Sequence, residues 1–444
     1  MEQRVPYAAI LVTDEGGERI HMGSAEEQVA QTIPHRGAVI TVHTGRGTVE
    51  CAVDVLTKAA LETAAEQAME RAEAVGIHGE GPHPGPIMDE RFATPEEIPY
   101  HQVPLADKVA RARQIRDQVQ ATDGRVVNAF GMVSHTRSRE LFVNRNKRLF
   151  QDLKRTQAVA GVTVRNNGGP AALIDGRGRR GGWEAAEISS ELIERLVTDC
   201  SHIAGAERLK PGEYDCIFSP EFSGIFAHEA FGHGTEADMF PKKRSKGEAF
   251  LGKSVADSQV NMYDDPDLPG AAASYHFDHE GQIASRTQII EKGVLVRPIT
   301  DMHTAHTLGI PRTANGRRES FSHKAYTRMS NTFFGTGNHQ FNDMLADIEY
   351  GFFLERPSNG MEDPKNWGIQ LEGHMASEIV NGKLTGRVFS PVIVTGYVPD
   401  LLSSITMVGN EREISGLGMC GKGYKEWVKV TDGGPYLRLK ARLA

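Results

Sequence analysis

Between Pro6 and Leu56 apolar and polar positions alternate, most clearly in AVITVHT and TVECAVDVL, which is the period of half-buried strands. The pattern then changes to the alanine-rich TKAALETAAEQAMERAEAV, whose spacing and residue types predict a helix. The proline, glycine and histidine stretch GIHGEGPHPGP reads as a loop. A second amphipathic helix is expected near Leu105–Gln120, strands between Arg125 and Ile174, and a third helix in WEAAEISSELIERLVTDC. The stretch ERLKPGEYD reads as a connection, and strands with long loops dominate beyond it. This order predicts an α+β chain. It has an N-terminal α+β domain over residues 1–204, built of hairpin strands and helices, and a β-rich C-terminal domain over 205–444 that carries the candidate chemistry.

Two glycine motifs need weighing. GEAFLGKS, Gly247–Ser254, matches the phosphate-loop pattern, but PKKRSK precedes it where a buried strand is required. GRGRRG, Gly176–Gly181, matches a dinucleotide fingerprint with arginines in its variable positions and no prompt successor strand. A glycine-rich connection is the better reading.

The stretch IFAHEAFGHGTEAD carries the stronger signal. It places His228 and His233 five positions apart with Glu229 between them. On a regular helix such positions lie about 140° apart and cannot share an ion. A π-bulge closes i→i+5 instead and brings the fifth residue nearly above the first. Gly232 and Gly234 flank His233 and lower the steric cost of an irregular backbone. Either histidine alone reads better as an ordinary buried or capping residue near a helix end. With Glu229 the set fits two metal-ligating imidazoles and a carboxylate that handles a water proton. A third donor is needed, and the candidate is Cys420 in SGLGMCGKGY, where four glycines let the backbone approach another segment; a buried structural cysteine is the alternative.

Composition narrows the classes. The chain has 444 residues, 39% of them hydrophobic, enough for a sizeable core. Lysine and arginine number 50 against 58 acids, so 50 − 58 = −8, which argues against a nucleic-acid or membrane-surface binder. The amino terminus has no signal-peptide pattern and no stretch approaches a membrane span, so a cytoplasmic protein is expected. The four cysteines are far apart with no CxxC.

Four stretches together, AHEAFGHGTEADMF, GQIASRTQIIEKGVL, TANGRRESFSHKAYTRMSNTFF and TMVGNEREISGLGMCGKG, resemble the TldD/PmbA family of zinc metallopeptidases, on the metal-bearing TldD side. The likeness covers most of residues 160–430. It implies Zn2+ held by His228, His233 and Cys420, with Glu229 as the base that takes the water's proton and passes it to the leaving amine. It also implies a dimer, with a metal-free TldE/PmbA-like partner or with itself, enclosing a site for unfolded peptides, with peptide maturation or leader removal as the expected setting. Both ends depart from the family pattern: a strand stands where an opening helix is expected, and the tail is YKEWVKVTDGGPYLRLKARLA. The block NGRRESFSH is assigned to the substrate cleft, with Arg317, Arg318 and His323 as peptide contacts. One arginine should face the peptide and the other a structural acid, because neighbours on an extended segment point to opposite faces. The competing reading is a metal-binding but inactive or modulatory subunit that presents peptides to a partner.

Overall fold

The computed structural model describes residues 4–423 and 426–444; Tyr424 and Lys425, which open the divergent tail, lie outside the described residues. The alternating N-terminal segments form β1 (Tyr7–Gly23), β2 (Glu27–His43) and β3 (Thr48–Val53), followed by the expected helix α1 (Lys58–Val75). The Thr57 hydroxyl caps α1 by accepting from the Ala60 N–H, and Gly76 ends it with φ 92°. After the loop come β4 (Met88–Ala93), α2 (Leu105–Thr122), β5 (Val126–Asn144), β6 (Lys147–Asn166), β7 (Gly169–Arg180) and α3 (Ser190–Ala204). These seven strands make one sheet in the order β3-β2-β1-β5-β6-β4, with β7 also on β6. All its pairings are antiparallel except β4 with β6. The GRGRRG stretch is not a loop: all but its last glycine lie in β7.

The C-terminal half is built from short strands around a large apolar core. Its elements are β8 (Gly212–Phe218), α4 (Pro220–Ala227), α5 (Gly247–Phe250), β9 (Met262–Asp264), β10 (Thr287–Glu291), β11 (Val294–Leu295), α6 (Met302–Leu308), β12 (Gly316–Arg317), β13 (Tyr326–Thr327) and β14 (Asn331–Phe334). Then follow β15 (Tyr350–Asp363), β16 (Gly368–Val380), β17 (Lys383–Phe389), β18 (Val392–Tyr397), β19 (Met407–Val408), β20 (Glu413–Ile414), β21 (Met419–Cys420), β22 (Val428–Lys429), β23 (Thr431–Gly434) and β24 (Leu437–Leu443). Strands β15, β8, β24, β18 and β16 pair in that order, and β16 pairs back to β15, so the ring closes as a small barrel. A second sheet runs β11-β10-β9-β14-β23-β20.

Helix α4 lies between the barrel strand β15 and β23 of the second sheet, and this contact aims the functional turn. Gly224 sits so close to β23 that a Cβ there would lie 2.3 Å from the Gly433 nitrogen. Any side chain would push the helix off the strand. Among the described residues, no helix is long and apolar enough to cross a membrane.

Candidate metal centre

Ser219 starts α4, its side chain accepting from the Phe222 N–H, with Pro220 at the first turn. The helix runs regularly to Ala227 and then widens: His228–Gly232 is a π-helical turn, in which the His233 N–H donates to the His228 carbonyl. The i→i+5 closure expected from the histidine spacing is therefore present. It turns both rings to one side, with centroids 5.1 Å apart and planes at 85°. The flanking glycines have a different reason from the one expected. Gly232 has an ordinary helical φ of −62°, but a Cβ on it would lie 2.1 Å from Met329 Sδ. Close packing, not an unusual dihedral, accounts for it.

Cys420, nearly two hundred residues later, ends β21, which pairs with β22. Its Sγ lies 3.1 Å from His228 Nε2 and 3.4 Å from His233 Nε2, and all three donor atoms lie within 4.8 Å of one another. A tetrahedral zinc ion would hold such nitrogen and sulfur atoms about 3.3–3.6 Å apart. The donor set and its spacing fit zinc. Each ring's other nitrogen has a carboxylate partner: His228 Nδ1 is 2.8 Å from Asp432 Oδ1, and His233 Nδ1 is 3.1 Å from Glu236 Oε2. Such partners fix the ring orientation and leave Nε2 free to ligate. Sequence reasoning missed both acids. Glu236, three residues past His233, carried a usable signal; Asp432 carried none, because strand β23 brings it in.

Behind these acids lies a buried charged network. Arg328 is fully buried; its guanidinium donates to Cys420 Sγ at 2.9 Å, to the Cys420 carbonyl at 3.0 Å and to Glu236 Oε1 at 3.2 Å. Lys422 lies 3.2 Å from Glu236 and 2.7 Å from Asp238. Burial alone would raise the Cys420 thiol, yet the two imidazoles hold it well below its ordinary value. Burial alone would lower His233, and the thiolate and Glu236 push it up to about 10 instead. Metal binding at such a set releases protons, because the cysteine ligates as a thiolate and each histidine through a deprotonated ring nitrogen.

Glu229, one residue past His228, is half-buried and points to β15, where a Cβ on Gly360 would lie 2.5 Å from its Cγ. Two positions along β15 stands Glu362. Burial drives its carboxyl well above the usual range, with Glu229 and Glu236 adding to that and His233 opposing it.

The NGRRESFSH block is placed differently from expectation. Arg318 is buried and pairs with Glu50 of β3, Nη1 to Oε2 at 3.1 Å, as the expected structural pairing requires. Arg317 is also buried, donates to the Met329 carbonyl and lies over the Tyr275 ring. Both guanidinium groups are thus held by contacts within the protein. His323 is partly exposed and hydrogen-bonds to Ser320, 2.7 Å away. None of the three hydrogen-bonds to a metal-site residue. At the other motif, Gly247 opens only the four-residue α5, with no strand leading into it, so the phosphate-loop geometry is absent.

The family profile described as the PmbA/TldA metallopeptidase C-terminal domain matches residues 211–442, and the chain belongs to this PmbA/TldD family. A metalloprotease of Methanocaldococcus jannaschii is 31% identical over 69% of this chain and 67% of its own length. A metalloprotease of Methanothermobacter thermautotrophicus is 32% identical over 59% of the chain; the match spans 57% of that relative. A zinc metalloprotease TldD homolog of Saccharolobus solfataricus is 31% identical, over 58% of the chain and 56% of the relative. The TldE structure from Thermococcus kodakarensis shares the fold over the whole chain and 98% of its own, with a TM-score of 0.79 at 17% identity. A Thermotoga maritima structure described as a putative modulator of a DNA gyrase does so with a TM-score of 0.81 at 17% identity, over 99% of this chain and 96% of that one.

Proposed function

We propose that this chain is a zinc-dependent peptidase that hydrolyses unfolded or extended peptides, with His228, His233 and Cys420 holding the ion and Glu229 as the base. The observation that carries the reading is the π turn: one distortion turns both histidines toward Cys420 and sets Glu229 beside them. Bound zinc would supply Lewis acidity and a water of lowered pKa. Glu229 would serve as the base that accepts a water's proton and delivers it to the leaving amine. Asp432 and Glu236 keep both imidazoles in the ligating tautomer, and Arg328 holds the thiolate in place. Arg317 serves by shaping the wall: it fixes the Met329 carbonyl, and Met329 packs on Gly232. Arg318 ties that wall to the N-terminal sheet.

The names of the relatives support the metalloprotease reading. The proposal includes a two-subunit assembly, with a TldE-like partner or a second copy, in the cytoplasm. The test is Glu229→Gln: it should keep zinc and lose hydrolysis of an unfolded protein substrate, because an amide fills the same space without accepting a proton. Near-normal turnover would remove Glu229 from the role. A zinc-loaded wild-type chain that cleaves nothing, alone or with its partner, would favour a modulatory subunit.

A further inference from the structure

Helix α4 and the π turn after it are buried on every side but one. Glu221, Ile225, Glu229 and His233 recur at intervals of four and are each half-buried, while the residues between them are buried. Positions four apart follow one another along a helix face, so this stripe leads from the first turn of α4 to the metal centre. Two further segments run beside it in the same sense. On β15, Ser358 precedes Gly360, where a Cβ would lie 3.1 Å from Ile225 Cγ1 and 2.5 Å from Glu229 Cγ. On the chain entering β21, Leu417 precedes Gly418, where a Cβ would lie 2.8 Å from Asp432 Oδ2, and Cys420 follows. Ser358, Gly360, Leu417 and Gly418 all keep some exposure, so the three segments bound a trough accessible along its length.

At the end away from the metal donors the trough opens into a cavity of about 390 Å³, which Glu221, Ser358 and Leu417 line together with Leu173 and Ile174 of β7. Two irregularities of β15 shape it: the strand bulges between Pro357 and Asn359, and Arg356 holds a left-handed φ of 54°. An arginine in that conformation is strained, and ion pairs to Asp175 and Asp199 keep it there. Strain of this kind clusters at ligand sites. The charges on the cavity floor are already matched, Arg356 by those two acids and Glu221 by Arg195 at 2.9 Å. What remains for an incoming group is apolar: Leu173, Ile174, Pro357 and Leu417, with Ile174 63% exposed. Distance sets the register. Eight residues of helix from Glu221 to Glu229 rise about 12 Å, and three residues from Leu417 to Cys420 span at most about 10 Å. An extended peptide advances about 3.3 Å per residue, so the cavity lies about three residues from a carbonyl held beside Glu229.

We propose that a peptide lies extended along this trough and places a large apolar side chain, about three residues from the attacked bond, in the cavity between α4 and β7. This rests on the peptidase reading and names a specificity site for it. The test uses fluorescent glycine- and serine-based decapeptides carrying a single leucine, with aspartate or lysine at the same place as controls. Zinc-loaded Glu229→Gln protein, which binds without turnover, should hold the leucine peptide about tenfold more tightly than either control, the order expected for burying such a side chain. Ile174→Asp should erase the preference and Ile174→Val should keep it. Leu417→Ser tests the opposite wall, and zinc content and circular dichroism establish that each variant is folded. The zinc-loaded wild-type chain should cut at a fixed offset of about three residues from the leucine, and the cut should move when the leucine is moved. Equal binding of the three peptides, or a leucine preference that survives both Ile174→Asp and Leu417→Ser, overturns the proposal. So does tighter binding of the lysine peptide, the occupant that Glu221 Oε2, which has no hydrogen bond, would favour, or a cut whose position ignores the leucine. No cut at all, with the leucine preference present and lost in Ile174→Asp, sinks the peptidase reading and leaves the apolar site standing.

Discussion

The metal centre and the outer face of the N-terminal sheet both carry paired charges, but in opposite surroundings. Arg328 and Glu236 are fully buried and share partners with Cys420, His233 and Lys422. Arg148 and Asp89 lie on the sheet with side chains 68% and 58% exposed and are joined to little else. In water the second kind of pair is screened and costs side-chain entropy, whereas breaking the first strands a charge in the interior. The same chemistry therefore organises one region and only decorates the other.

The largest stability effect should come from Arg328→Met, which leaves Glu236 and the Cys420 thiolate without their shared cation. A loss of about 3–5 kcal/mol is expected in urea unfolding. A loss below about 1 kcal/mol would place the buried network on a par with the surface pairs and break the comparison.

Glu140 tests an intermediate case, a buried carboxylate at the seam between the two halves. Burial would raise its pKa, but the His279 charge and hydrogen bonds from Gln151 and Ser138 hold it at about 2. A folded-state value below the unfolded one stabilises the fold above the ordinary carboxylate range, and that contribution is lost as pH falls from about 4.5 toward 2. It should amount to about 3 kcal/mol at neutral pH. Glu140→Gln should flatten the acid limb of the stability profile over that window, and an unchanged limb would mean the group is not specially held.

Gly224→Ala should cost about 1–3 kcal/mol, because the methyl group would meet backbone atoms of β23 that cannot swing aside. It should also displace Asp432 from His228, visible as weaker zinc retention. The smallest effect belongs to Arg148→Ala on the sheet: its melting midpoint should match the wild type within error, and a clear drop would mean the exposed pairs matter more than their surroundings allow.

What could be read from the chain follows the range of the interactions. Alternation and helix periodicity depend on near neighbours, so β1–β3, α1, α2 and α3 were legible, as was the i→i+5 distortion from the His228–His233 spacing. The barrel closure of β16 on β15 and the delivery of Asp432 to His228 depend on pairings across long stretches of chain, which leave no local trace. The surroundings of the arginines at 317 and 318 were illegible for a related reason: an exposed loop and a buried brace can carry the same residues, and their partners, Met329 and the distant Glu50, are brought in by the fold.

The central claim is that the π turn and β21 together build one zinc site. Metal content of the purified chain by mass spectrometry tests it most directly, alongside His228→Ala, His233→Ala and Cys420→Ala, each checked for folding by circular dichroism. The account expects about one zinc per wild-type chain, as suits two imidazoles and a thiolate, and loss of most of it in every variant. Full zinc retention in folded Cys420→Ala, or a wild-type chain that takes up no zinc at saturating concentration, would contradict it.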